Sequence, residues 1–255
     1  MPTILISNDD GIHAPGIAAL IEAAESFGDI IVVAPNSPQS GMGHAISVGK
    51  PLRIYEETLK SGLTGYAVSG TPADCVKIAT GVIMDKAPDL IVSGINHGYN
   101  SSVSSLYSGT LSAAREGALQ DIPALGFSLG NYQHSADMSA STAVAKAVIK
   151  QALAQPLRAG ELLNVNIPDL PLSELKGFRV TRQAMGRWVE EFAERTDPYG
   201  RKYYWLTGNY HLQDEGTDTD VHALREGYVS VTPMMHDLTA HSQLPKVNQW
   251  KMELG

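Results

Sequence analysis

Through roughly its first two-thirds the sequence alternates short, almost wholly apolar runs with longer amphipathic ones, and this limits the fold more than any other feature. A strand covered on both faces reads as a continuous apolar run, whereas a helix packed on one face repeats every ~3.6 residues. Interleaving the two is the pattern of parallel strands joined by crossover helices. Strands are expected at residues 3–7, 30–34, 66–69, 90–93, 124–128 and 163–167, and helices at 15–26, 72–84, 110–120 and 139–154. Pro15 and Pro72 suit a first helical turn, where a missing N–H is no loss. The fold class is therefore α/β, a Rossmann-like, mostly parallel sheet flanked by helices.

Past about residue 170 the pattern becomes mixed, polar and aromatic, as in Arg201-Lys202-Tyr203-Tyr204-Trp205 and Tyr228-Val229-Ser230-Val231-Thr232. Both segments are expected to form hairpin strands outside the main sheet. With no repeat and no low-complexity linker, residues 1–255 read as a single domain, a core to about residue 170 and an extension over 171–255. An aromatic-rich extension suits packing on another subunit as well as on its own domain.

Apolar residues at 43% and charged residues at 18% describe a soluble globular chain. The formal charge of −8 opposes a nucleic-acid polymer as partner, because phosphate backbones are met by basic faces. The lone Cys75 rules out an intrachain disulfide or a thiolate metal cluster and suits a reducing compartment. No basic-then-apolar leader opens the chain and no run reaches the length of a membrane span, so a cytoplasmic protein without a membrane partner is expected.

In an open parallel sheet the loops that follow the strands converge on one edge, and chemistry is sought there. After the first strand stands Asn8-Asp9-Asp10-Gly11, where adjacent carboxylates repel unless a cation or shared proton intervenes; a solvated Asp-Gly turn is the plain alternative. After the second comes Pro35-Asn36-Ser37-Pro38-Gln39-Ser40-Gly41-Met42-Gly43, which can bring backbone and hydroxyl groups to a ligand. It is neither a dinucleotide fingerprint, since Ile46 replaces the last glycine, nor a Walker loop, since Pro51 follows Lys50. Residues 94–100 offer the amides of Asn96 and Asn100, and Tyr107-Ser108-Gly109-Thr110 opens a helix of small residues whose N-terminus suits phosphate. Ser69-Gly70-Thr71-Pro72-Ala73-Asp74 is a similar turn, expected to support rather than react. His13, His44 and His97 fall in edge loops, with His13 and His44 the first candidates for a proton donor. A donor set of carboxylate, hydroxyl and amide oxygens suits magnesium or manganese better than zinc.

These blocks resemble the SurE survival-protein family of metal-dependent nucleotidases. The resemblance rests on residues 4–11, 69–74, 92–96 and 107–110, then on Asn164-Val165-Asn166-Ile167-Pro168 and residues 227–233. It implies a Rossmann-like core, a dimer or tetramer built through the C-terminal segment, and release of phosphate from nucleoside 5′- and 3′-monophosphates. It also implies one divalent metal ion per subunit, held by Asp9, Asp10, Ser40 and Asn96. Asn8, Gly41, Asn100, Ser108, Gly109 and Thr110 are then the expected phosphate and substrate contacts, with Asn8, Asp9 and Asp10 at the chemistry. Ser101-Ser102-Val103-Ser104-Ser105 departs from a common family form that has glycine and acidic residues, and this bears on substrate choice. Two other readings stand beside direct hydrolysis: a phosphatase forming an aspartyl-phosphate and a nucleotide-binding regulator without catalysis.

Overall fold

The computed structural model describes residues 1–189 and 191–253. Six parallel strands form the centre of a nine-stranded sheet: β1 (Thr3–Ser7), β2 (Asp29–Pro35), β4 (Thr64–Val68), β5 (Leu90–His97), β6 (Ala124–Leu129) and β7 (Glu161–Ile167). The order across the sheet is β3-β4-β2-β1-β5-β6-β7-β13-β8, where β3 is Ile54–Thr58, β8 is Phe178–Val180 and β13 is Val229–Met235. β3 runs antiparallel to β4, and β13 antiparallel to β7.

Helices cover both faces because the chain winds outward from β1 in two directions and crossovers between parallel strands are as a rule right-handed. Helices α1 (Pro15–Ala24) and α5 (Ser139–Ala154) share one core, in which Ile17, Leu20 and Ile149 pack on Ile4 and Ile6. Helices α2 (Pro72–Ile78) and α4 (Gly109–Leu119) share the other, in which Cys75, Val76 and Leu111 pack with Leu5 and Ile91. β1 thus sends alternate side chains to opposite cores, and its run is apolar throughout for that reason. Strand order reverses between β2-β1 and β1-β5, so the loops leaving β1 and β5 open on the switch-point crevice.

Several expected elements differ in detail. The helix expected over 72–84 ends its α-helical part at Ile78 and continues as a π-helical turn, Ala79–Ile83, closed by Met84 N donating to Ala79 O. A short helix, α3 (Ser104–Tyr107), precedes α4. Of the two C-terminal segments expected outside the sheet, only the first lies there: β10 (Phe192–Thr196) pairs with β11 (Lys202–Leu206), and β9 (Gly186–Val189) with β12 (Asn209–Leu212). Residues 229–235 are instead the main-sheet strand β13. Its polar Ser230 and Thr232 are buried by hydrogen bonds of 2.8 Å to Thr181 Oγ1, and this hydroxyl cluster masks the apolar signature of a core strand. Helix α6 (Asp220–Arg225) packs on β13, and α7 (Leu244–Val247) lies near the end of the chain. No helix among the described residues is long and apolar enough to cross a membrane.

Candidate active site

β1 ends at Ser7, and the turn beyond it is closed by Asn8, whose Nδ2 donates to Gly11 O at 2.9 Å and whose Oδ1 accepts from Gly11 N at 3.2 Å. Gly11, at φ +101°, supplies the left-handed residue this turn needs. The turn presents Asp9, only 4% exposed, to the N-terminus of α4. There Thr110 Oγ1 donates to Asp9 Oδ1 at 2.6 Å. Gly109 makes the approach possible: a Cβ at this position would stand 2.6 Å from Asp9 Cβ and 2.8 Å from Oδ2.

A helix N-terminus favours negative charge, but burial outweighs it here. Desolvation, with the Asp10 charge adding to it, pushes the Asp9 carboxyl up to about 6 against the Thr110 hydrogen bond. Burial raises Asp10 as well, although His97 N donates to its Oδ2 at 3.4 Å. Two desolvated neighbouring carboxylates form a place that a cation relieves.

The other expected residues fall into two groups. Ser40 is exposed in the loop after β2, and that loop is pinned beside the pair because Gln39 N donates to Asp9 O at 2.7 Å. Gly41 follows at φ +74° with open space around it. Asn96, near the end of β5, donates from Nδ2 to Gly98 O at 2.8 Å and keeps its Oδ1 as an acceptor. Ser108 caps α4, its Oγ accepting from Leu111 N at 3.0 Å.

Asn100 belongs to a buried amide network instead. Its N donates to Asn166 Oδ1, its Nδ2 to Ser128 Oγ, and its O accepts from Asn164 Nδ2, each at 2.8 Å. None of these bonds reaches Asp9 or Asp10. Sequence reasoning did not single out Asn164 and Asn166 for this role, yet two asparagines on one face of an apolar strand were a usable signal.

Among the histidines, His13 lies 3.6 Å from Glu57 and His44 is hydrogen-bonded to Glu116 at 3.0 Å. Both ring nitrogens of His97 are buried with no hydrogen-bond partner among the described residues, and the His134 ring stands 5.3 Å away. With Asp10, His13, Asn36 and Pro38, His134 lines an open cleft of about 280 Å³. No motif marks His134, which lies in an exposed loop.

Among the described residues no group of three or more His, Cys, Asp or Glu side chains is placed to hold a metal ion. A metal here would rest on the aspartate pair and neutral oxygens, a donor set that fits a hard divalent cation such as Mg²⁺ or Mn²⁺.

A doubly wound sheet that sets a buried aspartate against a helix N-terminus at its switch point, with a second, half-buried aspartate beside it, defines a class of α/β protein with an acidic site at the carboxyl edge of its sheet. Residues 4–190 match the family model described as Survival protein SurE. The 5′-nucleotidase SurE of Christiangramia forsetii is 53% identical over 98% of this chain and 97% of its own length. That of Cytophaga hutchinsonii is 52% identical, with the same coverage of 98% and 97%. The crystal structure of the SurE protein from Aquifex aeolicus matches with a TM-score of 0.84 at 38% identity, covering 97% of this chain and 98% of that one. The chain belongs to the SurE family.

Proposed function

We propose that this chain is a metal-dependent 5′-nucleotidase, hydrolysing nucleoside 5′-monophosphates, and 3′-monophosphates as well, to nucleoside and phosphate. The observation that carries the reading is the desolvated Asp9, held against Gly109 and Thr110 with the Asp10 carboxylate beside it. SurE nucleotidases are metal-dependent in general, and the donor chemistry of this edge agrees. One Mg²⁺ or Mn²⁺ ion per subunit would be held by Asp9, Asp10, Ser40 and Asn96. When bound, it would supply Lewis-acid neutralisation of phosphate charge and lower the pKa of the attacking water.

The chain's own groups do the rest. Thr110 fixes one oxygen of Asp9 and the His97 N–H one oxygen of Asp10, which leaves each carboxylate a second oxygen for the cation or for orienting water. Asn8 retains one amide hydrogen beyond its bond to Gly11, and with Gly41 and the Ser108–Thr110 turn it would hold phosphate oxygens. Asn100 would act from behind by shaping the loop that precedes this turn. Phosphoryl transfer depends mainly on such positioning. The cleft beside Asp10 would receive the nucleoside, with His134 and His13 on its walls. The chain would work as one domain in the cytoplasm, its extension joining subunits into a dimer or tetramer.

Phosphate release from a panel of nucleoside monophosphates with manganese, magnesium or EDTA tests this reading. Release that EDTA abolishes is expected. Tight nucleotide binding without release, whatever the metal, would replace the enzyme with a binding-only regulator.

A further inference from the structure

Helix α4 is built mostly of small residues, yet it buries a carboxylate: Glu116 is 3% exposed. A buried charge persists only when paired and hydrogen-bonded. Lys77 Nζ of α2 approaches Glu116 Oε1 at 2.8 Å, and Gln120 Nε2 donates to the same oxygen at 3.3 Å. Those two contacts already pair the charge. The remaining oxygen, Oε2, accepts from Nε2 of His44 at 3.0 Å, and His44 comes from the irregular loop after β2. Burial works to raise the Glu116 carboxyl, but the His44 and Lys77 contacts hold it below the ordinary range. It is therefore an ionised acceptor and His44 the donor.

The loop between β2 and β3 has no regular structure and depends on tethers. Gln39 N donates to Asp9 O at 2.7 Å, and Gly43 N to Tyr107 O at 3.0 Å. Farther along, Ala45 O accepts from Thr71 Oγ1 at 2.7 Å, and Ser47 N donates to Asp74 Oδ1 at 3.0 Å. These four use backbone atoms of the loop, whereas His44 adds a side chain bonded to a buried charge. Ser40, Gly41 and Met42 form the exposed tip between the Gln39 tether and those at Gly43 and His44. The same helix that touches Asp9 through Gly109 and Thr110 holds this tip two turns later through Glu116. One rigid element thus registers both loops.

We infer that His44 and Glu116 form a latch that holds the Ser40–Gly41 tip at the Asp9–Asp10 pair, making both of them positioning residues for capture of the cation and the substrate phosphate. The inference rests on the nucleotidase reading, in which Ser40 is a metal ligand.

The test measures Mn²⁺ affinity by calorimetry and steady-state hydrolysis of adenosine 5′-monophosphate for the wild type, His44→Ala, His44→Gln, Ser40→Ala and the double variant Ser40→Ala/His44→Ala. His44→Ala is expected to weaken Mn²⁺ binding and raise KM by about tenfold, the scale of one charge-assisted hydrogen bond, with kcat at saturating metal nearly kept. His44→Gln retains an amide donor and restores most of the affinity. In the Ser40→Ala background, His44→Ala adds no further loss, because the latch acts through the residue already removed. Equal losses in both backgrounds, or a lower kcat and melting temperature with Mn²⁺ affinity unchanged, would overturn the latch while leaving the nucleotidase intact. A folded wild type that binds no Mn²⁺ and releases no phosphate removes the nucleotidase reading, and the latch with it.

Discussion

Asp9 works against the fold until a positive charge arrives. Its carboxyl moves from 3.8 to about 6, and at about 1.4 kcal/mol per pH unit the ionised form carries a penalty on the order of 2–3 kcal/mol. Because the folded value lies above the unfolded one, the native state binds the proton more tightly. The penalty is absent below about pH 4, grows up to pH 6, and is present in full above that. Asp9→Asn keeps an acceptor for Thr110 and removes the charge. In EDTA at pH 8 the variant is expected to melt several degrees higher than the wild type, with the gain gone near pH 4. Manganese should then stabilise only the wild type, and the variant should not turn over. Thermal melts at both pH values check this, and a less stable Asp9→Asn at pH 8 in EDTA would show that the carboxylate is not strained by burial.

At the scale of the element, α4 shows how a run of small residues serves two ends. Near its C-terminal end Gly117 lets the helix close on the sheet, since a Cβ there would stand 2.6 Å from Ile91 Cδ1; at the other end Gly109 lets it close on Asp9. Gly117→Ala overpacks the core and should cost about 1–3 kcal/mol of stability while hydrolysis by the folded enzyme stays near normal. Gly109→Ala displaces Asp9 itself and should cost on the order of 100-fold in kcat/KM, the scale of a misplacement of about 1 Å. Paired melting and kinetic measurements separate the two, and a Gly109→Ala enzyme with normal kcat/KM would remove the Asp9 contact from the site's requirements. The strand–helix alternation and the Ser108–Thr110 turn were legible because buried strands and small-residue helices write their environment into the sequence. Helix 139–154 and strand 3–7 lie where their patterns place them. β3 was not legible, since its side chains are mostly exposed and no core imposes a period on it. The aspartate pair was readable as two like charges at a strand exit, whereas the Glu116–His44 contact joins residues 72 positions apart and leaves no local trace.

For the whole molecule, the C-terminal extension divides by chemistry rather than by position. Its strands β8 and β13 complete the main sheet, while the ribbons β9–β12 and β10–β11 stand off it with Trp188, Phe192, Tyr204, Trp205 and Leu206 exposed. Tyr210 OH ties these ribbons to the core by donating to Ser102 Oγ in the segment before α3; Asp220 Oδ2 accepts from Ser102 N at 2.7 Å at the same place. The serine-rich run at 101–105 is therefore the joint between the arm and the site-bearing loops. Aromatic area of this kind left open on one chain suits a surface that a second subunit would cover. Tyr203 and Trp205 meet edge to face on one side of β11, with ring centroids 6.5 Å apart, so replacing both changes one face of the ribbon without touching the main sheet. Tyr203→Glu/Trp205→Glu is expected to sediment as a smaller species than the wild type while its far-ultraviolet circular dichroism is unchanged. If the wild type sediments as a monomer, or the double variant sediments with it as an oligomer, this face of the ribbon is not where subunits join. Should the variant dissociate and also lose hydrolysis while still binding Mn²⁺, the arm acts on the site through the Ser102 joint, and Tyr210→Phe should reproduce part of that loss in the intact oligomer.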